Sequence, residues 1–418
     1  MNLLVVGVNY RTAPVEIRER LAWSGERLNG ALEKLSGYVT HGVILSTCNR
    51  TEVYTVAEKA TGSRVANFLS DISGLPHFVV ASYRYDFQQR EVVRHLFRVA
   101  SGVDSMIVGE TQILGQVRQA LDRAKLAGAT TPPLVRLFQR AVKVGRSVRQ
   151  ATDISRNAAS VSSASVDLVG RLMPDIAAAG VLVVGAGKIA QRVAKTLADR
   201  GVSRITIINR TFQRAAELSA ALGVAARPFE ELGEALVSAD VVITATGAAE
   251  YLVGGPMVKE ALKQRKQRPL YFIDIAVPRN IDPEVAKIKG VSLHDIDDLR
   301  SIAEANLQAR EREVVKVEKI IEGEVSKFMA WWDAQEVLPT LTALRSKAES
   351  IRRAELARAL GKLPDLSEAQ RSSLEAMSCA IVNKLLHQPT IVLKQGRDGT
   401  SYAWAIQELF GLDGKSGA

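Results

Sequence analysis

Residues Val181-Leu182-Val183-Val184-Gly185-Ala186-Gly187-Lys188-Ile189-Ala190 begin as an unbroken apolar run and end on glycines that lead into a helical pattern. A short run with no polar alternation suits a strand buried on both faces, the condition of a parallel sheet. The helical pattern reaches Asp199, and a second strand follows over 204–208. A glycine pair alone says little. Between a strand and a helix of one βαβ unit it is a dinucleotide fingerprint: the glycines let the backbone approach a pyrophosphate, and the helix N-terminus faces the charge. Ala190 in the third glycine place is an accepted variant. The second strand lacks the terminal acid that would hold a ribose 2′-hydroxyl, and Asn209-Arg210-Thr211 offers a positive charge and donors to a 2′-phosphate. NADPH is therefore predicted, rather than NADH. Strands over 240–247, 270–275 and 290–293 continue the sheet, and Thr246, at a strand's carboxyl end, is placed toward the nicotinamide.

Downstream of Leu299 the pattern becomes helical. Val314, Val317, Ile321, Val325, Phe328 and Trp332 recur at steps of three and four, the seam of a long amphipathic helix. Leu338-Pro339 predicts a break before a second helix carrying Leu341, Leu344, Ala348 and Ile351, and Ser367 with Gln370 makes a capping box for a third. Cys379 aligns there with Val382 and Leu386 and reads as packing. Helices with one apolar seam and no sheet to cover it bury that seam against another copy, so a homodimer is expected. The end, 411–418, reads as frayed.

Upstream, 1–155 reads as a mixed α/β domain. The run 3–8 is a strand, and Ala13-Pro14-Val15-Glu16 opens a helix. Two strand patterns, 42–45 and 52–57, enclose the turn Ser46-Thr47-Cys48-Asn49-Arg50-Thr51. Cys48 admits two readings. Beside Arg50 the sulfur would favour thiolate and act as a nucleophile; alternatively it is an incidental cysteine of a tight turn. His95 lies on the border of a helix whose apolar face carries Val92, Val93, Leu96, Phe97 and Ala100. The following run, 100–116, mixes glycines with many polar groups and suits a substrate-lining loop entering a helix. After Thr131-Pro132-Pro133 a helix carries Arg136, Arg140 and Lys143 on one stripe, with Arg146 and Arg149 drifting from it. That stripe is either a wet face or the contact for a nucleic-acid backbone. The small residues of 158–165 mark a boundary.

The chain has 418 residues, 47% of them hydrophobic, enough for two or three domains with ordinary cores. Its formal net charge of +10 suits a polyanionic partner. The two cysteines, Cys48 and Cys379, stand far apart, which excludes a zinc cluster or a disulfide framework and fits a reducing, cytoplasmic compartment. The opening apolar run is too short to span a membrane. His294, Asp295, Asp297 and Asp298 read as a solvated acidic loop, and no metal is expected.

The nonapeptide Ser46–Tyr54 and the run His95–Gln116 resemble the glutamyl-tRNA reductases, the first enzymes of the five-carbon route to tetrapyrroles. Asp274-Ile275-Ala276-Val277-Pro278-Arg279-Asn280 resembles the same family and its shikimate-dehydrogenase-like cofactor domain. The resemblance implies an α/β protein of three parts: an N-terminal α/β catalytic domain (1–155), a Rossmann-like NADP-binding domain (156–300) and a C-terminal all-helical dimerisation domain (301–418). It implies Cys48 as nucleophile and His95 as a group important for activity. Thr47, Asn49, Arg50, Ser105, Glu110, Thr111, Gln112 and Gln116 would hold the glutamyl group, Arg50 pairing with its carboxylate and Glu110 with its ammonium. Thr51 and Asp104 read as N-cap or solvated-loop residues. Glutamyl-tRNA would acylate Cys48, NADPH would reduce the thioester to glutamate-1-semialdehyde, and the cofactor domain would swing to reach the sulfur. An aminomutase would take the product. Two alternatives use the same features: reduction of another activated small acyl compound, or an NADP-sensing RNA-binding protein without chemistry.

Overall fold

The computed structural model describes residues 2–57, 62–155, 160–173, 175–265, 268–299, 311–363, 365–395 and 399–412. The predicted boundary 300/301 falls at residues outside this set, and 155/156 falls at its edge. The chain divides into two compact units, Met1–Glu322 and Gly323–Ala418.

The first unit carries both sheets. Strands β1 (Asn2–Asn9), β2 (Gly42–Ser46), β3 (Arg50–Ala57) and β4 (Tyr85–Gln88) form a four-stranded sheet in the order β2-β3-β1-β4, with antiparallel neighbours. Thr47-Cys48-Asn49 is the hairpin turn between β2 and β3. Pro14 precedes the helix Val15–Leu21 as its N-cap, one residue earlier than the sequence pattern implied.

The second sheet holds β5 (Gly180–Val184), β6 (Arg204–Ile208), β7 (Ala225–Arg227), β8 (Val241–Thr244), β9 (Leu270–Asp274) and β10 (Val291–Asp295), in the parallel order β10-β9-β8-β5-β6-β7. The predicted strands are present; the short edge strand β7 is an addition, with too few residues to show a pattern. Along β5, Val181 and Val183 enter one apolar cluster and Leu182 and Val184 another, so helices cover both faces. The first cluster continues past the sheet. It takes in Val15, Met106 and Ile107 from the N-terminal half, with Tyr10 and Cys48 packed against it.

The helix Glu311–Gly361 runs without interruption through Pro339, which corrects the predicted break. A single proline removes one backbone donor and crowds one carbonyl, a penalty the flanking turns absorb when their side chains are buried. Val337, Leu341 and Leu344 flank it and are buried. In the second unit Val337 and Leu341 pack with Leu393 and Ala403. The predicted capping box forms, Ser367 N–H donating to Gln370 Oε1 at 2.9 Å and Gln370 N–H to Ser367 Oγ at 3.3 Å. Cys379 is only half-buried there, while Met377, Ile381 and Leu385 around it are exposed. Among the described residues no helix is long and apolar enough to cross a membrane.

Candidate active site

Alternation along β3 puts Arg50, Glu52 and Tyr54 on one face, aimed into the N-terminal half. Glu52 is wholly buried and accepts hydrogen bonds from Arg50 Nη1 (2.7 Å), Tyr54 Oη (2.6 Å) and Tyr85 Oη, with His95 Nε2 at 2.9 Å. Burial pushes its carboxyl up, and the Arg50 guanidinium, His95 and Tyr54 outweigh that, holding it well below the usual carboxylate range. Arg50 Nη1 also reaches Asp104 Oδ2 at 3.1 Å, and Nη2 donates to the Asp104 carbonyl.

This corrects two expectations. Arg50 does not lie open beside the sulfur as a carboxylate clamp; its guanidinium is buried and paired with Glu52 and Asp104, because β3 alternation turns it inward. His95 is not on a face border but buried, between the rings of Tyr85 and Phe87. Its second ring nitrogen is 3.8 Å from Asp104 Oδ2, an ion-pair distance rather than a hydrogen bond. Asp104 and Thr51 are neither caps nor solvated: both are buried, Asp104 paired with Arg50 and Thr51 donating to the Leu21 carbonyl at 2.8 Å.

The turn around Cys48 is tied by its own residues. Thr47 Oγ1 accepts from the N–H of Asn49 (3.2 Å) and of Arg50 (3.1 Å), while Arg18 Nη1 donates to the Cys48 carbonyl (2.9 Å) and to Asn49 Oδ1 (3.1 Å). Thr47 and Asn49 thus shape the loop that carries the sulfur. Cys48 itself does not favour thiolate, contrary to the sequence reading. Burial pushes its thiol up, Glu110 adds to this, and Arg18 and Arg50 pull back too little, leaving it pushed up to about 12. Glu110 is also raised by burial, against the pull of Arg50, Arg149 and Arg192.

Ser105 is buried, and its carbonyl accepts from Tyr10 Oη at 3.2 Å. Thr111 is exposed ahead of the helix Gln112–Leu126, and Gln112 is half-buried in its first turn. Gln116 stands apart from the charged network, lining a cavity of about 160 Å3 with Trp23, Ser46, Gln119 and Arg123. Arg149 leaves the basic stripe: it donates to the carbonyls of Ala100 (2.9 Å) and Glu110 (3.1 Å), so it braces the loop. Arg18, Glu52 and Asp297 were missed. Arg18 and Glu52 sit in ordinary helix and strand patterns, and Asp297 had read as solvated. Asp297 in fact reaches Arg18 Nη2 with one oxygen and accepts from Val15 N–H at 3.1 Å with the other.

At the carboxyl ends of β5, β6 and β8 a cavity of about 260 Å3 is lined by Gly185, Asn209, Arg210, Thr211, Arg214, Thr246 and Gly247 among others. Gly185 has φ +122, and a Cβ there would meet the Ala245 carbonyl oxygen at 2.7 Å. Above Gly187, by contrast, an added Cβ meets nothing within 4 Å. That opening, at the N-terminus of the helix Lys188–Asp199, fits a pyrophosphate. Ala186, Lys188 and Ile189 belong to this turn, and Ala190 is buried beneath it. Thr246 is held by Asn280, whose Oδ1 accepts from Thr246 Oγ1 at 2.7 Å. Asn280 N–H in turn donates to buried Asp274 at 2.7 Å, a carboxyl that burial raises to about 6 although Thr244 and backbone donors oppose it.

A two-faced parallel sheet with an anion-ready glycine turn, joined to a domain that presents a cysteine against its core, defines an oxidoreductase of the NAD(P)-binding class. Residues 6–152 match the family described as Glutamyl-tRNAGlu reductase, N-terminal domain; residues 167–302 match Shikimate / quinate 5-dehydrogenase; residues 316–412 match Glutamyl-tRNAGlu reductase, dimerisation domain. The glutamyl-tRNA reductase of Syntrophotalea carbinolica is 41% identical over 99% of this chain and 95% of its own, and that of Pelotomaculum thermopropionicum is 43% identical over the same shares. The solved glutamyl-tRNA reductase of Methanopyrus kandleri is 35% identical, covers 99% of both chains and aligns with a TM-score of 0.51. The chain belongs to the glutamyl-tRNA reductase family.

Proposed function

We propose that this chain reduces glutamyl-tRNA to glutamate-1-semialdehyde through a thioester on Cys48, with NADPH as cofactor. The carrying observation is the position of Cys48, on a braced turn and packed against the apolar core of the parallel-sheet domain. An aminoacyl ester is already activated, so the sulfur attacks its carbonyl carbon, the bond to the tRNA 3′-oxygen breaks, and that oxygen leaves with the thiol proton. NADPH supplies a hydride when bound. The carbon–sulfur bond then breaks with its electron pair on sulfur, the aldehyde is released, and the Cys48 thiolate takes up a proton from solvent.

The chain's residues divide this work. Glu110 faces the sulfur and opposes its ionisation; a substrate ammonium placed on Glu110 cancels that charge, so the correct amino acid activates its own nucleophile. Ser105, Thr111, Gln112 and Gln116 supply hydroxyl and amide contacts to the remainder of the glutamyl group, while Thr47 and Asn49 keep the turn in shape. Arg50 and His95 act from beneath, where substrate entry must share Arg50 with Asp104. In the cofactor domain Arg210, with Arg214 beside it on the cavity wall, favours a 2′-phosphate and hence NADPH. Residues 1–155 carry the acyl chemistry, 156–300 hold the cofactor, and 301–418 pair two chains into a homodimer. The enzyme works in the cytoplasm, where charged tRNA is made, and passes its reactive aldehyde to an aminomutase. The test is incubation with glutamyl-tRNA and NADPH: aldehyde forms with the unmodified chain and not with Cys48→Ser. Aldehyde formation at an unchanged rate in that variant overturns the reading.

A further inference from the structure

Among the described residues, two polar ties join the parallel-sheet half to the N-terminal half. Arg279 binds Glu19 through Nη2 (2.8 Å) and Nε (3.0 Å) and Glu16 through Nη1 (2.9 Å). The second tie runs to the sulfur. Asp297, in the loop after β10, grips Arg18, and the same guanidinium grips the carbonyl of Cys48 and the side chain of Asn49. Its Nε donates to the Ala13 carbonyl at 3.1 Å, so Arg18, only 2% exposed, has every nitrogen engaged. No other guanidinium among the described residues bonds both to the Cys48 turn and to the parallel-sheet half.

We propose that Arg18 is a positioning residue shared between Asp297 and the Cys48 turn, so that docking of the cofactor domain sets the electrostatic state of the reacting sulfur. With the halves together, Asp297 balances the Arg18 charge, and the apolar core that Cys48 packs against shields one side of the half-buried sulfur from water. With the halves apart, both restraints go: the guanidinium keeps its hold on the turn, its charge is uncompensated, and the sulfur is hydrated. The two chemical steps thereby alternate with domain position. Acylation belongs to the separated state, where thiolate forms, and hydride transfer to the docked state, where a free thiol would be quiet. The groups facing Cys48 are Glu110, Arg18 and Arg50 from its own half, with Asp297 acting through Arg18. Arg192 of the cofactor domain acts through Glu110. This rests on the reading of Cys48 as the reacting sulfur.

Iodoacetamide alkylation of the full chain at pH 9, followed by peptide mass spectrometry with Cys379 as internal reference, tests it without substrate. Arg18→Met slows Cys48 alkylation by about threefold or more, since a one-unit rise of the thiol is tenfold in thiolate. Asp297→Asn, which keeps an acceptor for Arg18 but no charge, speeds it by a similar factor. The decisive measurement is the double variant: the acceleration by Asp297→Asn disappears when Arg18 is Met, because it is transmitted through that guanidinium. If Asp297→Asn speeds alkylation equally in both backgrounds, the pair is only a mechanical tie and the proposal is overturned. It is equally overturned if both single variants move the rate in one direction, or if neither moves it. Should Arg18→Met fail to fold, Arg18→Gln, neutral but still a donor, takes its place in the same cycle. Retained semialdehyde formation by Cys48→Ser would instead remove the reading of Cys48 as nucleophile and leave the alkylation result standing.

Discussion

Glu52 holds four donors with no exposure to water, so its charge anchors the floor of the site. Replacing it by Gln leaves the buried Arg50 with Asp104 as its one carboxylate and should destabilise the chain by about 3 kcal/mol, read from urea unfolding. The sign with pH follows from its depressed carboxyl: the stabilisation is present above the unfolded value and lost as pH falls, so the unmodified chain should lose stability more steeply below pH 4.5 than Glu52→Gln. At Cys48 the raised thiol makes a separate prediction. Alkylation of Cys48 should climb by about tenfold per pH unit from neutrality upward and show no plateau before pH 10. A plateau near pH 8 would mean that the turn is exposed and Glu110 does not face it. The motif named Cys48 and the loop residues, yet the sequence neighbour Arg50 misled. Arg50 does act on the sulfur, but its guanidinium is taken up by Glu52 and Asp104, and burial with Glu110 outweighs it; a charge close in the chain says nothing of the partners and burial that oppose it.

For the elements, the glycine turn separates fold from ligand. Gly185→Ala forces a side chain into positive φ and against a carbonyl, so it should lower the thermal midpoint of the cofactor domain. Gly187→Ala meets open space, so it should leave the midpoint unchanged while weakening NADPH binding by about tenfold or more, measured by quenching of NADPH fluorescence. Equal binding by the two proteins would put the pyrophosphate elsewhere. Pro339 offers a third check. Because the helix is continuous through it, Pro339→Ala should stabilise by up to about 3 kcal/mol in denaturant unfolding, whereas a functional break would make the change neutral or harmful. Strands and caps were readable here from apolar runs, glycines and the Ser367–Gln370 pair. The edge strand β7 and the passage through Pro339 were not, since both depend on neighbours rather than on local pattern.

At the scale of the whole molecule, Met377, Ile381, Leu385 and Trp404 lie exposed in the second unit, Leu385 at 70%. Such a surface on one chain suits burial against another. Light scattering should give twice the single-chain mass, and Leu385→Asp should shift the population toward single chains at micromolar concentration. A single-chain mass for the unmodified protein would remove the dimer. The swing expected of the cofactor domain also changes character, since the structure holds the two halves of the first unit already in contact through Arg18, Arg279 and a shared core. What has to be explained is separation as well as approach.

The amino-acid sequence alone determined the parallel sheet, the glycine turn, the cysteine hairpin and the helical tail, because periodicity, glycine and capping act over a few neighbouring residues. It also carried the family, through two stretches in the N-terminal half and one near Asp274. Only the tertiary structure decided what surrounds the sulfur: Arg50 turned inward to Glu52, Glu110 set against the thiol, and Arg18 bound to Asp297 from far along the chain. Electrostatics depends on distance and burial, and neither can be read until remote segments have packed together.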